Sequence, residues 1–210
     1  MTPPLSLVIG GGAYGVRCAR YARENGHRCL VIDPDPDCPA GRIGGGVEVI
    51  EGGIGEALEV ILSGGPLHIF PTAPIHVCAA LAMEWGGMAV EADGVDRLQA
   101  GIPPDLVVSF GEGSAVVSYN REGRCLPSCA VPPVCPVSGR RHEPLFQVLR
   151  ESVPGAVVLE SVQCAPGIGA LRGRDVIDLL ARSGREEQMV VGTACRCHGV
   201  VTAIGQKKGK

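Results

Sequence analysis

Short apolar runs alternate with amphipathic segments along most of the chain. LSLVIG at 5–10 is a continuous apolar run that ends in glycine, and HRCLVID at 27–33 is a second run that ends in an acid; both are typical of buried parallel strands. Between them, VRCARYARENG at 16–26 places apolar and basic residues on different faces at helical spacing, and Gly26 is suited to end that helix. The pattern predicts a strand–helix–strand unit at the start of the chain.

The same alternation continues in the second half of the chain. Strands are predicted as a pair within 101–120 joined by Gly111-Glu112-Gly113, and at 156–161, 187–194 and 199–205. Helices are predicted at 142–152, with Pro144 suited to the first turn, and at 173–184. The predicted fold class is α/β: a Rossmann-like parallel sheet flanked by helices over 1–120, with a cysteine-rich α/β extension over 121–210 packed on the same sheet.

Composition narrows the classes of partner. The 210 residues are 45% hydrophobic but only 3% aromatic, so the core must be aliphatic, and the formal net charge is −3. No basic stripe indicates a nucleic-acid partner. No apolar run reaches the roughly 18 residues of a membrane span, and the first residues lack the basic region of a signal peptide. These features predict a cytoplasmic protein without a membrane span, and they leave homodimerisation open.

The stretch GGGAYG lies between the first strand and the first helix. Gly10, Gly12 and Gly15 have the spacing G-x-G-x-x-G, in which the glycines permit a tight turn, a close approach to a pyrophosphate and close helix packing. The pyrophosphate would sit at the helix N-terminus, where free N–H groups favour anions. Asp33 ends the second strand about 20 residues downstream, where a carboxylate accepts hydrogen bonds from the ribose hydroxyls. Because no Arg or Lys follows it, NAD is favoured over NADP.

This N-terminal region resembles the NAD-binding domain of potassium-uptake regulators, the TrkA-N type. The resemblance covers about 90 residues: the glycine turn, the I-D-x-D-P signature at 32–36, a third strand at 47–53, a helix at 54–62, a fourth strand at 67–74 and a helix at 75–86. Glu51-Gly52-Gly53 replaces the usual Gly-Asp after the third strand, and the ligand-sensing C-terminal domain of those regulators is absent. A weaker similarity is to the NAD-binding part of precorrin-2 dehydrogenases. The residues expected to bind the cofactor are Gly10, Gly12, Ala13, Tyr14, Gly15, Asp33 and Thr72.

The chain has ten cysteines. In a reducing compartment they are not expected to form disulfides, so metal binding or redox chemistry is the leading interpretation. Cys18, Cys29 and Cys78 lie in apolar periodic segments and are predicted to be core residues. The expected metal ligands lie on a proline-rich loop and directly after a strand: Cys125, Cys129, Cys135, Cys195, Cys197 and His198. A [4Fe–4S] cluster held by the three loop cysteines and one of Cys164, Cys195 or Cys197 is favoured. Structural zinc, metal-free redox thiols and scattered structural cysteines remain alternatives.

Together these features predict an NAD(H)-binding protein with a cysteine-ligated metal centre, acting as an oxidoreductase. A non-catalytic NAD- and metal-sensing regulator and a zinc-stabilised Rossmann scaffold are the alternatives. Arg140, Arg141 and His142 are interpreted either as a solvated segment or as a clamp for a small anionic substrate. His76 lies beyond the fourth strand, where dehydrogenases often place residues near the nicotinamide, although a structural role is the simpler interpretation.

Overall fold

The computed structural model describes residues 2–121 and 125–207. The strands are, in chain order, β1 (Leu5–Ile9), β2 (Arg28–Asp33), β3 (Val47–Glu51), β4 (His68–Pro71), β5 (Met88–Val90), β6 (Val107–Gly111), β7 (Ser114–Ser118), β8 (Val157–Glu160), β9 (Val162–Ala165), β10 (Ile168–Arg172), β11 (Gln188–Ala194) and β12 (His198–Gln206). The α-helices are α1 (Ala13–Glu24), α2 (Ile54–Gly64), α3 (Val77–Gly86), α4 (Val95–Gly101), α5 (Leu145–Ser152) and α6 (Gly173–Ser183).

The first sheet has the order β3-β2-β1-β4-β10-β9. Its first four strands are parallel, and β10 pairs antiparallel with β4, placing Leu171 opposite Ile69 and Arg172 opposite His68. Because β10 runs against β4, the turn between β9 and β10 lies at the edge of the sheet where β1 and β4 end. This edge also carries the glycine turn after β1.

Helices cover both faces of the first sheet. Residues alternate along β1, so that Leu7 and Ile9 join the core beneath α2, α3 and α6, while Val8 joins the core beneath α1. Continuous burial of a parallel strand on two faces explains the uninterrupted apolar runs at 7–9 in β1 and 29–32 in β2, which lack the alternation of a half-exposed strand.

The second sheet has the order β6-β7-β12-β11-β8, with β5 also paired to β12. Only β8 and β11 are parallel; the other neighbours are antiparallel. Val190 and Val201 face the core formed with α4 and α5, while Val191 and Ile204 belong to the same core as Leu7 of the first sheet. Helices α3 and α6 therefore form a shared layer between the two sheets.

The fold class predicted from the sequence is confirmed: the protein is α/β, with sheets flanked by helices. The extension contributes to both sheets: β9 and β10 join the parallel strands, and β8, β11 and β12 form the second sheet together with β5, β6 and β7, which precede the extension. The predicted strand at 187–194 and the strand after it become an antiparallel pair with Ala194 opposite Gly199. Cys195, Arg196 and Cys197 consequently form the connection of a hairpin, and His198 begins β12. Among the described residues, none of the helices combines the length and hydrophobicity that crossing a bilayer requires.

Candidate functional site

The glycine turn has a different steric demand at each glycine. Gly10 has a φ of +105°, a conformation that side chains disfavour. A Cβ on Gly15 would stand 2.2 Å from the carbonyl oxygen of Gly10, so α1 packs against the turn only if this residue is glycine. A Cβ on Gly12 would meet nothing within 4 Å. Open space above Gly12 is therefore available to a ligand, not to the protein's own core.

The carboxylate of Asp33 is held beside this turn by two backbone N–H groups. Gly11 donates to Oδ2 at 2.6 Å, and Asp35 donates to Oδ1 at 2.9 Å. Each carboxylate oxygen can accept more than one hydrogen bond, so both retain capacity for ribose hydroxyls. The sequence placed Asp33 at the end of β2, and the structure adds that the carboxylate connects the second strand to the turn after the first.

Thr72 lies at the end of β4 and braces the turn from the other side. Its Oγ1 donates to the carbonyl oxygen of Gly10 at 2.6 Å. Ala13 and Tyr14 begin α1 and are exposed, with 67% of the Tyr14 surface accessible. The first turn of α1 contains no acidic residue, so its N-terminal dipole is not compensated by a carboxylate of its own.

These elements border a cleft of about 380 Å³ at the carboxyl ends of the parallel strands. Its walls include Gly10, Gly12, Asp33, Gly53 and Thr72. Ligand sites of open α/β sheets lie in this position, and their volumes run from about 300 to 1,000 Å³. The cleft therefore has the location and size of a site for a small-molecule ligand.

The connection from β2 to β3 contains a short 3-10 turn at Gly41–Ile43 and no α-helix, and it folds back over the glycine turn. Ala40 donates its N–H to the carbonyl oxygen of Gly11 at 2.9 Å. A Cβ on Gly11 would stand 2.2 Å from Sγ of Cys38, which is buried. The sequence analysis did not predict a role for Cys38. The one local feature that could have drawn attention to it is its position between Asp37 and Pro39, just after β2. Its contact explains why the middle residue of the glycine triplet is also glycine.

The second part of the site is the cysteine cluster, by which we mean Cys129, Cys135, Cys195 and Cys197. Backbone N–H groups point at three of its sulfurs: Val131 donates to Cys129 Sγ at 3.3 Å, Ser138 to Cys135 Sγ at 3.5 Å and Cys197 to Cys195 Sγ at 3.3 Å. Hydrogen bonds of this kind favour the thiolate over the thiol. The local backbone is thus arranged to stabilise negative charge on sulfur.

The thiols also interact electrostatically with one another. The hydrogen bond with Cys197 lowers the pKa of Cys195, and His198, whose Nδ1 lies 3.5 Å from Cys195 Sγ, acts in the same direction. The pKa of Cys197 is raised, first by the hydrogen bond with Cys195, then by burial and by the nearby charges of Cys195, Cys129 and Cys135. Several thiolates at this position are therefore mutually unfavourable, and a bound cation would relieve the repulsion.

The donor chemistry of the cluster fits a thiophilic metal ion, because the sulfurs receive the N–H bonds that also tune metal-bound thiolates. Within residues 2–121 and 125–207, however, no three His, Cys, Asp or Glu side chains form a group that could hold a metal ion as they stand. An ion would have to draw the loop sulfurs towards Cys195 and Cys197. Cys125 is exposed, and its sulfur accepts a bond from Asn120 Nδ2 at 3.6 Å.

The cysteine loop, by which we mean residues 125–139, is docked on the first sheet. Gly167, in the turn between β9 and β10, donates its N–H to the carbonyl oxygen of Cys129 at 2.9 Å. Arg17 of α1 donates from both Nη atoms to the carbonyl oxygen of Pro127 at 3.3 Å. These contacts bring the loop to the sheet edge that carries the cleft beside the glycine turn, although its cysteines are far from that cleft in sequence.

Other candidates from the sequence have structural surroundings. Cys18, Cys29 and Cys78 are buried, as predicted for core residues, while Cys164 is half-buried beside Tyr21. The ring nitrogens of His76 are both occupied, with Nδ1 2.7 Å from Thr202 Oγ1 and Nε2 3.0 Å from Thr193 Oγ1. His76 thus connects the start of α3 to the second sheet.

Comparison with known proteins adds a family relationship. Residues 5–77 match a family model described as "Uncharacterized protein, N-terminal domain", and residues 77–207 match one described as "Uncharacterized protein, C-terminal domain". The chain is 37% identical over 214 residues to a protein of Archaeoglobus fulgidus described as "Uncharacterized protein"; the alignment covers 95% of this chain and 99% of that protein. The two matches meet at Val77, where α3 begins.

Proposed function

The chain belongs to the family of this Archaeoglobus fulgidus protein, and we propose that it is an NAD(H)-binding oxidoreductase whose redox centre is held by the cysteine cluster. The resemblance of the first 90 residues to the TrkA-N type of NAD-binding domain supports the nucleotide part of this proposal. The observation that carries it is the arrangement of residues along one edge of the first sheet.

Along this edge, the features follow the strand order β2-β1-β4-β10. Asp33 ends β2, the glycine turn follows β1, Thr72 follows β4, and the β9–β10 turn contacts the cysteine loop through Gly167. Neighbouring strands are about 4.8 Å apart, so this turn lies about 10 Å from β1. A dinucleotide with its adenosine ribose at Asp33 and its pyrophosphate on α1 would extend its nicotinamide half towards the cysteine loop.

In this proposal each group of residues has its own role. Asp33 orients the adenosine ribose, the exposed N-terminus of α1 binds the pyrophosphate, and Thr72 keeps the glycine turn in place through its bond to Gly10. Cys129, Cys135, Cys195 and Cys197 would hold the metal centre, an iron–sulfur cluster being favoured; such a cluster supplies one-electron redox chemistry when bound. Arg17 joins the two parts, because it extends from α1 to the cysteine loop.

The test is anaerobic purification followed by a visible spectrum, metal and sulfide analysis, and addition of NADH. We expect bound iron and sulfide, and NADH should bleach the visible absorption. Gly12→Val protein is the control, because a side chain there occupies the space left for the pyrophosphate; Gly55→Val is the matched substitution in α2, where a Cβ also meets nothing within 4 Å. NADH binding without electron transfer would contradict the enzyme proposal and favour a sensor.

A second candidate is a structural zinc site on a Rossmann scaffold. It is favoured by the position of His198, whose Nδ1 is 3.5 Å from Cys195 Sγ, because mixed cysteine and histidine sets are typical of structural zinc. One zinc per chain without sulfide, and no spectral response to NADH, would support this candidate over the oxidoreductase.

A further inference from the structure

A pocket of about 490 Å³ lies between the end of β7 and the turn that follows Cys135. Its walls include Tyr119, Arg121, Ser138, Arg140 and Arg141. It shares no lining residue with the nucleotide cleft. The pocket is therefore a second cavity, formed by the second sheet and the cysteine loop.

The pocket carries an excess of positive charge in a chain whose formal net charge is −3. Three guanidinium groups border it, and Asp105 supplies one carboxylate. Among the residues that the structure describes, Arg121, Arg140 and Arg141 form no ion pair, whereas Arg28, Arg172 and Arg182 each pair with a glutamate. Within 2–121 and 125–207, the Arg121 side chain donates only to the backbone oxygen of Asp105, at 3.5 Å. The guanidinium groups thus retain hydrogen-bonding capacity for a ligand.

The backbone that carries two of these arginines is a closed turn. Cys135 donates its N–H to the carbonyl oxygen of Arg140 at 2.9 Å, and Gly139, at a φ of +69°, donates to Cys135 at 2.8 Å. An isolated bridge joins Val134 and Arg141. Ordering of this backbone before binding lowers the entropy that a ligand must overcome.

Two rings also line the pocket. The Tyr119 ring stacks on the His142 ring, with centroids 4.2 Å apart and an angle of 16° between the planes. The stack connects the cysteine loop to the end of β7. Planar guanidinium groups next to a flat aromatic wall suit a small ligand that carries an oxyanion group, because the arginine fork matches carboxylate and phosphate geometry.

The pocket is also in direct contact with the cysteine cluster. Ser138, which lines the pocket, donates its N–H to Cys135 Sγ at 3.5 Å, and Tyr119 donates its N–H to the carbonyl oxygen of Cys197 at 3.0 Å. A ligand in the pocket would therefore lie one residue layer from the sulfurs, on the side of the second sheet.

We propose that this pocket binds a small oxyanion, either an organic acid or a phosphate ester, and presents it to the cysteine cluster as substrate. The role as substrate rests on the proposed oxidoreductase function. Binding of the anion does not, because the pocket is complete without a nucleotide and is formed by different residues.

The experiment is isothermal titration of the anaerobically purified full chain with succinate and, separately, with inorganic phosphate. The two probes distinguish a carboxylate ligand from a phosphate ligand. Wild-type protein should bind at least one of them, and Arg140→Gln and Arg141→Gln should each weaken binding about 10- to 100-fold, as expected for the loss of a charged hydrogen-bond donor. Arg141→Lys should recover part of the affinity, because the charge returns without the fork.

Arg185→Gln is the matched control: it removes the same charge from an exposed position after α6 and should leave anion binding unchanged. Thermal unfolding of each variant shows whether it keeps its fold, independently of NADH binding. The inference is overturned if neither probe binds wild-type protein, if Arg185→Gln weakens binding as much as Arg141→Gln, or if Gly12→Val abolishes anion binding, which would place the anion in the nucleotide cleft. Anion binding without any reaction with NADH would contradict the proposed oxidoreductase function but would still support this pocket as an anion-binding site.

Discussion

Replacement of Asp33 by asparagine tests both the structure of the glycine turn and its proposed ligand. The carboxylate accepts N–H bonds from Gly11 at 2.6 Å and from Asp35 at 2.9 Å. An asparagine has one acceptor oxygen, so one of these N–H groups would face the amide NH₂ and lose its partner. The change removes the negative charge while keeping the shape of the side chain.

The expected loss of stability follows from these two bonds. A hydrogen bond to a charged group contributes about 1.5–3 kcal/mol, so losing one and weakening the other should lower the free energy of unfolding by about 2 kcal/mol. For a chain of this size, that corresponds to a decrease in Tm of about 4–8 °C. Urea unfolding and thermal unfolding at neutral pH measure the two quantities independently.

The effect on the nucleotide should be larger for NADH than for NADPH. Loss of the charged acceptor for the ribose hydroxyls should weaken NADH binding about 10- to 100-fold. NADPH should be affected less, because the neutral amide no longer repels a 2′-phosphate. Isothermal titration of wild-type and Asp33→Asn protein with both nucleotides gives the change in preference.

Asp35→Asn is the matched control, since the Asp35 carboxylate accepts the N–H of Asp37 within the exposed loop, at 2.9 Å, and not an N–H of the glycine turn. It should leave nucleotide affinity unchanged. The reasoning is refuted if wild-type protein binds NADPH as tightly as NADH, or if Asp33→Asn binds NADH like the wild type.

Three further predictions concern other parts of the molecule. Gly12→Val should lower the free energy of unfolding by only about 1 kcal/mol, as for a poor N-cap residue, yet abolish NADH binding; retained binding in a titration would contradict the pyrophosphate position. Burial lowers the pKa of His76 to about 4, so the unfolded state binds a proton at higher pH than the folded state, and stability should fall by about 2 kcal/mol from pH 7 to pH 5. His76→Gln should flatten this dependence in urea unfolding, and equal slopes in both proteins would disprove it. Cys129→Ala and Cys197→Ala should each lose bound metal by elemental analysis, whereas Cys18→Ala, in the core, should retain it; wild-type protein with neither iron nor zinc would disprove a metal centre.

Local patterns were sufficient for most elements and for the glycine turn. The apolar run before Gly10 predicted β1, and helical spacing after it predicted α1, because burial of a continuous strand or of one helix face leaves its period in the sequence. Cys18 and Cys29 were assigned to the core on the same basis, and both are buried. Asp33 was placed correctly because a βαβ unit fixes the spacing between its turn and its second strand.

Contacts between distant segments were decided only by the tertiary structure. Nothing in the local pattern of CAPGIG indicates that the first of its two glycines, Gly167, donates its N–H to the carbonyl oxygen of Cys129, or that β10 pairs with β4. The side chain of Cys38 is buried because its loop folds over Gly11. His76 is held by Thr193 and Thr202, more than a hundred residues later in the chain. Periodicity records which face of an element is buried, but the partner on that face depends on the packing of the whole chain. The sequence by itself therefore determined most of the elements and the glycine turn, but not β5, β9, β10 or α4. The meeting of the cleft beside the glycine turn, the cysteine cluster and the arginine pocket depended on how the two sheets pack around α3 and α6.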